Sequence, residues 1–306
     1  MSPRINDPAG RIAGIESLVC RDVGRRTAEL IAATRGELLS AARLLARADR
    51  VGLITGFFVP RGDVAAPETD GPVGTALLAA SLAACGIPAR IAVDTPCAAA
   101  VRSAVAAAGG QVEVDEVAVG DGPGLAKLTA AWRDLDISHV VAIERCGRSA
   151  DGKPRNMRGV DVSPWTAPLD ELFLGGPWIR LAVGDGGNEI GMGKLPAGLI
   201  ARTVPNGAEI ACVTACDYLV VAGVSNWGAY GLMAALAALR PDWQPTIARF
   251  LDARRDLAVT QAIVEEAGAV DGVTARREPT VDGFGHDVHG ALIDELRRIA
   301  WGQAAD

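Results

Sequence analysis

Aromatic side chains and positive charge are both scarce in this sequence of 306 residues. Phe, Trp and Tyr together make up 4% of it, so any core must be built mainly from Ala, Val, Leu and Ile. The formal net charge is −7, which leaves no basic surface for nucleic acid or for an anionic membrane. We therefore expect neither nucleic acid nor a membrane among its partners.

Long apolar runs and paired cysteine motifs are also missing. No window reaches the roughly 18 consecutive apolar residues of a membrane span, and the first residues, MSPRINDPAG, lack the apolar segment of a secretory signal. Among the six cysteines, Cys212 and Cys216 lie four residues apart, but no second pair follows at the spacing of a zinc site. These features predict reduced, buried thiols and a cytoplasmic protein.

Short apolar segments alternate with alanine-rich helical patterns along most of the chain. The predicted strands lie at 51–55, 90–94, 140–144, 179–183 and 218–222, with a further edge strand at 111–119. The predicted helices lie at 13–32, 36–48, 75–85, 98–108, 230–239, 247–267 and 287–301. Apolar strands of this kind are typical of a parallel sheet that is buried on both faces. The sequence therefore predicts an α/β fold with a doubly wound, mostly parallel sheet, helices on both faces and an N-terminal helical segment.

We expect the chain to form a single domain over residues 1–306. Residues 1–50 would supply the N-terminal helices, and residues 51–306 would form the catalytic core. No linker rich in Pro, Gly or Ser divides the sequence, and no internal repeat of fixed period is present, so nothing in the pattern indicates a second unit.

Polar loops follow the predicted strands, and the strand ends of a parallel sheet share one edge where ligands bind. These loops are TGFFVPRGDVAAPETDGPVG (55–74), DTPC (94–97), ERCGR (144–148), RNMRGVDVS (155–163), GDGGNEIGMGK (184–194) and GVSNWGAYG (223–231). Asp70 is expected to cap the helix that follows it, with Pro72 in the first turn, so that free N–H groups point at an anion. The sequence thus predicts a small-molecule pocket at this edge.

The loop GDGGNEIGMGK fits neither common glycine-rich nucleotide motif. A Walker loop needs glycine where Asn188 stands and Ser or Thr where Leu195 stands, and the dinucleotide motif needs glycine where Glu189 stands. Two interpretations remain open. Either the loop approaches a small ligand closely, with Asp185, Glu189 and Lys194 among its polar groups, or it is a tight turn fixed by a hydrogen bond from its own Asp or Asn side chain.

Several stretches together resemble the catalytic region of the D-glutamate cyclase family. They are PETDGPVGTALLAASL, AIERCGR, NMRGVDVS, GDGGNEIGMGK and SNWGAYGL, and the resemblance spans roughly residues 51 to 300. Two positions depart from the family pattern: Cys146 stands where proline is expected, and Arg155 stands where an aromatic residue is expected. In eukaryotes that region forms the C-terminal part of a larger mitochondrial protein, and single-domain relatives occur in bacteria.

The resemblance implies a carbon–oxygen hydro-lyase that converts D-glutamate, or a related small amino acid, to 5-oxo-D-proline with loss of water. The amine of the substrate attacks its own γ-carboxyl group. Such a reaction needs a base for the ammonium, a neutralised charge on the carboxylate and a proton for the departing oxygen. No cofactor is required by the sequence, a divalent metal is compatible with it, and an assembly of identical chains is left open.

The resemblance and these chemical requirements together give the candidate residues. The catalytic candidates are Asp185, Glu189, Lys194 and Glu144, with Glu68 in reserve. The candidate substrate-binding residues are Thr55, Gly56, Glu68, Thr69, Asp70, Arg145, Arg148, Asn156, Arg158, Asp161, Gly186, Gly187, Asn188, Ser225 and Asn226. We assign the ammonium to Asp185 and Glu189, which are also the candidate ligands of a divalent metal. Lys194, Arg145 and Arg148 are the candidates for holding carboxylates.

Some of these residues have a structural explanation as well. Arg145 and Arg148 could pair with Asp161 or Asp63 at the surface, where ion pairs are common and contribute little. Trp227 is able to form an apolar wall of the pocket, although packing in the core is its default role. The sequence leaves both explanations open.

Two other classes of function also remain open. A metal-dependent hydrolase or phosphoryl-transfer enzyme would use Asp185 and Glu189 as metal ligands, whereas a non-catalytic protein would only bind amino acids. His286 and His289 lie one helical turn apart, which permits a shared metal. The context of Ser225, VSNWG, lacks the G-x-S-x-G turn and argues against a serine hydrolase.

Overall fold

A computed structural model describes residues 7–62, 64–196 and 198–303 of the chain. Asp63, one of the expected ion-pair partners, lies outside these residues. The strands are β1 (Val51–Ile54), β2 (Phe58–Arg61), β3 (Val64–Pro67), β4 (Ala89–Asp94), β5 (Glu113–Val117), β6 (His139–Ile143), β7 (Ile179–Gly184) and β8 (Tyr218–Val221).

Helices connect and flank these strands. They are α1 (Pro8–Val19), α2 (Ala28–Ala33), α3 (Glu37–Leu45), α4 (Pro72–Ala84), α5 (Thr95–Ala108), α6 (Gly122–Asp134), α7 (Asp170–Leu174), α8 (Leu199–Thr203), α9 (Gly207–Ile210), α10 (Ser225–Leu239), α11 (Gln244–Ile247), α12 (Ala253–Ala267) and α13 (His286–Ala300). Within the described ranges, none of the helices has the length and apolar character needed to cross a membrane.

The main sheet has six strands in the order β5-β4-β1-β6-β7-β8, and every neighbouring pair is parallel. The chain builds outward from β1 through β4 to β5, and then continues on the other side of β1 with β6, β7 and β8. The connections leaving β1 and β6 therefore diverge and open a crevice at their carboxyl ends. The predicted doubly wound parallel sheet is confirmed, with β5 at its edge as expected.

Alternate residues of the strands enter two apolar cores, one on each face of the sheet. Leu53 and Val141 belong to the core that includes α1, α3, α4, α5, α10, α12 and α13. Ile54 and Val140 belong to the core that includes α2, α6, α7, α8 and α9. A Cβ on Gly52 would lie 2.2 Å from the ring of Trp132 on α6, so only glycine permits this contact between helix and strand. Helices on both faces are thus confirmed.

The predicted helix over 13–32 is wrong in its middle, because residues 20–27 form a loop between α1 and α2. The carboxylate of Asp22 accepts hydrogen bonds from the N–H groups of Gly24 and Arg25, at 2.9 and 2.8 Å. Gly24 also has a left-handed φ of +97°. The apolar spacing of this segment indicated a continuous helix and gave no sign of the turn. Because of the turn, Arg25 lies in a loop and not on a helix.

Two other helices begin elsewhere than predicted. Helix α10 begins at Ser225, so the polar residues expected in a loop after β8 lie in the first turn of a helix. Helix α12 begins later than expected, because the carboxylate of Asp252 caps it by accepting from the N–H groups of Arg254 and Arg255. The short helix α11 precedes it.

The segment between β1 and α4, predicted as a loop, contains an antiparallel hairpin. Strands β2 and β3 pair from Phe58 with Pro67 to Arg61 with Val64, outside the main sheet. The hairpin returns the chain to the edge of the sheet just before Glu68. It therefore adds a wall above the crevice between β1 and β6.

Candidate active site

A cavity of about 360 Å³ lies at the carboxyl ends of the central strands. Its wall is formed by the 20–27 loop, the hairpin β2–β3, the segments after β6 and β7, and the connection between α12 and α13. Buried acidic side chains lie at its inner end, and exposed arginines lie around its opening. The strand order predicts a ligand site in this crevice.

Six carboxylates come together at the inner end, and we call them the acidic cluster. They are Glu68, Asp70, Glu144, Asp185, Glu189 and Asp282. One oxygen from each of Asp70, Asp185 and Asp282 lies within 4.8 Å of the other two, and the same holds for Glu144, Asp185 and Glu189. Asp185 belongs to both groups and is therefore central. Either group offers hard oxygen ligands of the kind that Mg²⁺ prefers.

Glu189 holds the glycine loop of residues 184–194 in its shape. Its carboxylate accepts hydrogen bonds from the N–H groups of Asp185, Gly186 and Gly187, at 3.0, 2.6 and 2.7 Å. The side chain of Asn188 instead donates to the carbonyl of Arg155 at 2.8 Å. The sequence left two interpretations of this loop open, a tight turn and a ligand-binding loop, and each is partly correct. It is a tight turn, fixed by Glu189 rather than by its Asp or Asn, and it also lines the cavity.

Arg25 is the cation of the acidic cluster, and the sequence interpretation missed it. Its guanidinium pairs with Oδ1 of Asp185 and, at 2.5 Å, with Oδ2 of Asp282. Among residues 7–62, 64–196 and 198–303, no other Lys or Arg forms an ion pair with a member of the cluster. The second oxygen of Asp185, Oδ2, is buried and accepts no hydrogen bond within the same ranges. Asp185 therefore has one oxygen fixed and one oxygen available to a ligand.

Glu144 follows β6 directly and occupies an unusual backbone conformation. Its φ is +44°, in the left-handed region that residues other than glycine rarely adopt. This turn directs its carboxylate to the cavity, where Oε2 accepts a hydrogen bond from the hydroxyl of Ser225 at 2.6 Å. Ser225 thus contacts Glu144 and does not itself line the cavity.

The environment of the acidic cluster favours protonated carboxyl groups. Burial, followed by the neighbouring carboxylates, raises the pKa of Glu68 and of Glu144 well above the ordinary value. Burial also raises the pKa of Asp185, although Arg25 opposes this shift, and raises the pKa of Asp70 to about 8. Some of these groups therefore keep a proton at neutral pH and can donate it.

Asp70 and Asn226 cap each other's helices. The carboxylate of Asp70 accepts from the N–H groups of Ser225 and Asn226 at the start of α10, at 2.9 and 2.8 Å. The side-chain oxygen of Asn226 accepts from the N–H groups of Gly71 and Gly74 at the start of α4, at 3.0 and 2.8 Å. The expectation that Asp70 caps α4 and leaves its N–H groups free for an anion is therefore wrong.

Asp282 reaches the cavity from the connection between α12 and α13. This segment is organised by the buried carboxylate of Asp271. It accepts from the N–H groups of Val273 and Gly283 at 2.9 and 2.7 Å, and from the hydroxyl of Thr280 at 2.7 Å. The bonds fix the turn that contains Asp282, although this residue is remote in sequence from the rest of the cluster.

Two cations expected to hold carboxylates lie outside the cavity. The amine of Lys194 donates to Oε2 of Glu37 at 2.5 Å and to the carbonyl of Asp217 at 2.7 Å. The fully buried guanidinium of Arg145 pairs with Asp94 at 2.6 Å. These contacts correct the expected positions of both residues. They also correct the structural alternative for Arg145, since its partner is neither Asp161 nor at the surface.

Arg148 and Asp161 also lie away from the cavity lining. Arg148 is exposed, and its N–H group donates to Asp170 at 3.2 Å. Asp161 accepts from Ser163 and pairs with Lys153 at 3.0 Å. Both residues therefore belong to the loops that surround the site.

Exposed arginines surround the opening of the cavity. Arg26, Arg61 and Arg158 all line it, and we call them the arginine rim. Of these, the sequence predicted Arg158 alone. Asn156 also lines the cavity, and its side-chain oxygen accepts from the N–H groups of Arg158 and Val160. The rim places positive charge opposite the acidic inner end.

The remaining predicted residues lie behind the lining. Thr55 is buried beside Gly71, and the carbonyl of Gly56 accepts a hydrogen bond from Arg145 at 2.8 Å. The hydroxyl of Thr69 donates to the carbonyl of Thr280 at 2.7 Å. These residues connect the segments that carry the acidic cluster.

His289 and Trp227 form a separate buried contact behind α10. The indole N–H of Trp227 donates to Nδ1 of His289 at 2.9 Å, and Phe284 packs against both rings. Neither group of potential metal ligands in the described parts of the chain contains a histidine. The structure thus gives no support to a metal shared by His286 and His289, and it gives Trp227 a packing role. All six cysteines are free; four are buried as expected, whereas Cys20 and Cys85 are only half-buried.

Comparison with known proteins relates this chain to one family. The family model described as D-glutamate cyclase-like, C-terminal, matches residues 15–297. The human mitochondrial protein D-glutamate cyclase is 35% identical over 246 residues, which cover 76% of this chain and 37% of that protein. The chain therefore spans little more than a third of the length of this relative. The family match includes every segment that carries the acidic cluster.

Proposed function

Because the chain belongs to the D-glutamate cyclase-like, C-terminal family, we propose that it converts D-glutamate, or a related small amino acid, to 5-oxo-D-proline with loss of water. The observation that carries this proposal is a single cavity with a buried acidic cluster inside and arginines at its opening. An amino acid with two carboxylates and one ammonium matches this arrangement, because its ammonium can meet the acidic cluster and its carboxylates can meet the arginines.

The acidic cluster suits the first step, in which the ammonium loses its proton. Oδ2 of Asp185 is buried and accepts no hydrogen bond in the described parts of the chain, so it is available to bind the ammonium and accept a proton. Glu189 lies within 4.8 Å of Asp185 and adds negative charge at the same place. Its three backbone hydrogen bonds keep this charge in a fixed position.

Glu144 suits the second step, in which an oxygen of the γ-carboxyl group leaves as water. Burial and its acidic neighbours raise the pKa of Glu144, which favours the protonated form that can donate to the leaving oxygen. Arg25 and the arginine rim are the available cations for neutralising the substrate carboxylates. Folding the substrate so that its nitrogen meets Cδ, the carbon of the γ-carboxyl group, can lower the barrier by about 7 kcal/mol or more.

The proposal is tested by incubating the chain with D- and L-glutamate and detecting 5-oxoproline on a chiral column. We expect 5-oxo-D-proline from D-glutamate, and a rate at least about 100-fold lower for Asp185→Asn and for Glu144→Gln. Asp242→Asn and Glu278→Gln remove exposed carboxylates outside the cavity lining and serve as matched controls. Absence of the lactam from the wild-type chain, with and without divalent cations, would contradict the proposal.

A metal-dependent hydrolase or phosphoryl-transfer enzyme is the second candidate. It is favoured by the two groups of three carboxylates that share Asp185. This candidate predicts that a chelator abolishes activity on phosphate esters and that Mg²⁺ or Mn²⁺ restores it. Turnover of D-glutamate that survives the chelator, together with no release of phosphate, would reject it.

A further inference from the structure

Arg25 meets the acidic cluster from a distant part of the chain. It stands on the 20–27 loop, whereas Asp185 follows β7 and Asp282 precedes α13. Its guanidinium bridges these two carboxylates at the inner end of the cavity. A cation of the N-terminal segment thus pairs with the same carboxylate that a substrate ammonium would bind.

We propose that Arg25 selects ligands that carry both an ammonium and a carboxylate. The ammonium replaces the guanidinium at Asp185, and the released guanidinium pairs with the carboxylate of the ligand while it keeps its contact with Asp282. This inference rests on the proposed function, because it concerns the same cavity and the same amine. It adds a specificity-determining residue to that site.

The charges at Asp185 support an exchange of partners. An ammonium at the available Oδ2 would lie on the same carboxylate as the guanidinium at Oδ1, and two cations at that distance repel each other. A ligand that also brings a carboxylate gives the guanidinium a new partner, so no charge loses its counterion. A simple amine brings no such partner, and a simple carboxylate brings no cation for Asp185.

The 20–27 loop allows the guanidinium to move. The side chain of Arg25 is 21% exposed, and neighbouring residues of the loop are exposed as well. A Cβ on Gly24, the residue next to Arg25, would have no atom within 4 Å, so this part of the loop is not packed against the rest of the protein. One end of the loop is anchored by the N–H of Gly223, which donates to the carbonyl of Val19 at 2.9 Å. Arg25 can therefore turn without disturbing a packed core.

The experiment measures binding of three probes: butylamine, butyrate and 4-aminobutyrate. Because the amine of 4-aminobutyrate can attack its own carboxyl group and close a five-membered lactam, its recovery is checked after each titration. Titration calorimetry is performed on the full chain and on Arg25→Gln, with 5-oxoproline formation from D-glutamate followed in parallel. We expect Arg25→Gln to bind 4-aminobutyrate about tenfold more weakly and butylamine more tightly than the wild-type chain. Arg25→Lys should restore part of the preference, because it restores the charge.

Arg35→Gln is the matched control, since Arg35 is exposed in the same N-terminal segment and lies outside the cavity lining. It should leave both affinities within about twofold. A purely structural role for Arg25 would weaken all probes together, so changes of opposite sign identify the selective role. Equal changes for 4-aminobutyrate and butylamine, or no binding of any probe, would overturn the inference.

The two proposals fail in different ways. Lactam formation without the opposite changes in probe binding would reject the role of Arg25 and leave the proposed function intact. Opposite changes in binding without any lactam would support the role of Arg25 and reject the cyclisation. The two readouts therefore separate recognition from chemistry.

Discussion

Two arginine–aspartate pairs at the carboxyl ends of the sheet differ in their surroundings. In the pair of Arg145 with Asp94 the side chains are 1% and 0% exposed, and Arg145 also donates to the carbonyls of Gly56 and Ala167. In the pair of Arg25 with Asp185 the side chains are 21% and 2% exposed, and one oxygen of Asp185 stays available. The first pair joins loops inside the protein, whereas the second faces a cavity.

This comparison shows why a buried ion pair by itself does not identify a site. Both pairs are close, and both arginines have a raised pKa, opposed by burial and caused by neighbouring carboxylates. The difference lies in access and in unused hydrogen-bonding capacity beside a cavity. The variants below test whether the pair of Arg145 with Asp94 contributes mainly to stability and the pair of Arg25 with Asp185 mainly to ligand binding.

The largest effect on stability is expected from Arg145→Met. The change leaves the carboxylate of Asp94 buried without its cation, which typically destabilises a protein by about 3–5 kcal/mol. Urea denaturation followed by circular dichroism gives the free energy of unfolding. The double variant with Asp94→Asn should recover part of the loss, and a loss below about 1 kcal/mol for Arg145→Met would contradict the structural role.

The acidic cluster should make stability fall as the pH rises. Asp70 has a folded-state pKa of about 8 against an ordinary value of 3.8, so between these values the folded state binds more protons than the unfolded state. Its stabilising contribution is complete below about pH 4 and is lost as the pH approaches 8. We expect a loss of about 3–4 kcal/mol between pH 5 and pH 8.

The matched variant for the pH experiment is Asp70→Asn. It removes the titrating group but keeps an oxygen that can accept a hydrogen bond at the start of α10. The slope of unfolding free energy against pH should become flatter, whatever the change in absolute stability. An equal slope in the two proteins would show that Asp70 does not cause the dependence.

A smaller effect on stability is expected from Arg25→Met. Its side chain is 21% exposed and its partners Asp185 and Asp282 line the cavity, so loss of the pair should cost about 1–2 kcal/mol, below the effect of Arg145→Met. The same change should lower the rate of lactam formation. If both arginine variants were equally destabilised in urea, the division between a structural and a ligand-facing pair would fail.

The smallest effect is expected from Lys194→Met. Lys194 pairs with Glu37 in a half-buried contact and lies over the ring of Tyr218, with 5.1 Å from its nitrogen to the ring centroid. Loss of these contacts should cost about 0.5–1 kcal/mol, and lactam formation should stay within about twofold of wild type. A large loss of activity at unchanged stability would show that Lys194 takes part in the reaction and would contradict this prediction.

The fold could be predicted because its signals are local. Each central strand is an apolar run that ends in a polar loop, and the helices between them have alanine-rich patterns, so the parallel doubly wound sheet follows from the sequence. The family could also be identified from long motifs such as GDGGNEIGMGK. Three members of the acidic cluster, Glu144, Asp185 and Glu189, stand in these motifs and were predicted as catalytic candidates.

The cation of the site could not be predicted in the same way. Arg25 was hidden inside an apolar pattern that indicated a continuous helix, although the turn at Asp22 and Gly24 was a usable signal. Asp282 follows from no local pattern, because only the tertiary fold brings its segment to Asp185. The presence of a cation in a motif also did not predict which cations line the cavity. Lys194 of the glycine loop pairs with Glu37, whereas the arginine rim comes from other segments.

The mutual caps of Asp70 and Asn226 have a consequence for how the protein responds to its ligand. Asp70 belongs to the acidic cluster and also holds the first amides of α10, while Asn226 holds those of α4. A proton or cation that arrives in the cavity changes the charge that holds these amides. The rates at which the amide hydrogens of Ser225 and Asn226 exchange with solvent should therefore report the charge state of the cavity, without any label near the ligand.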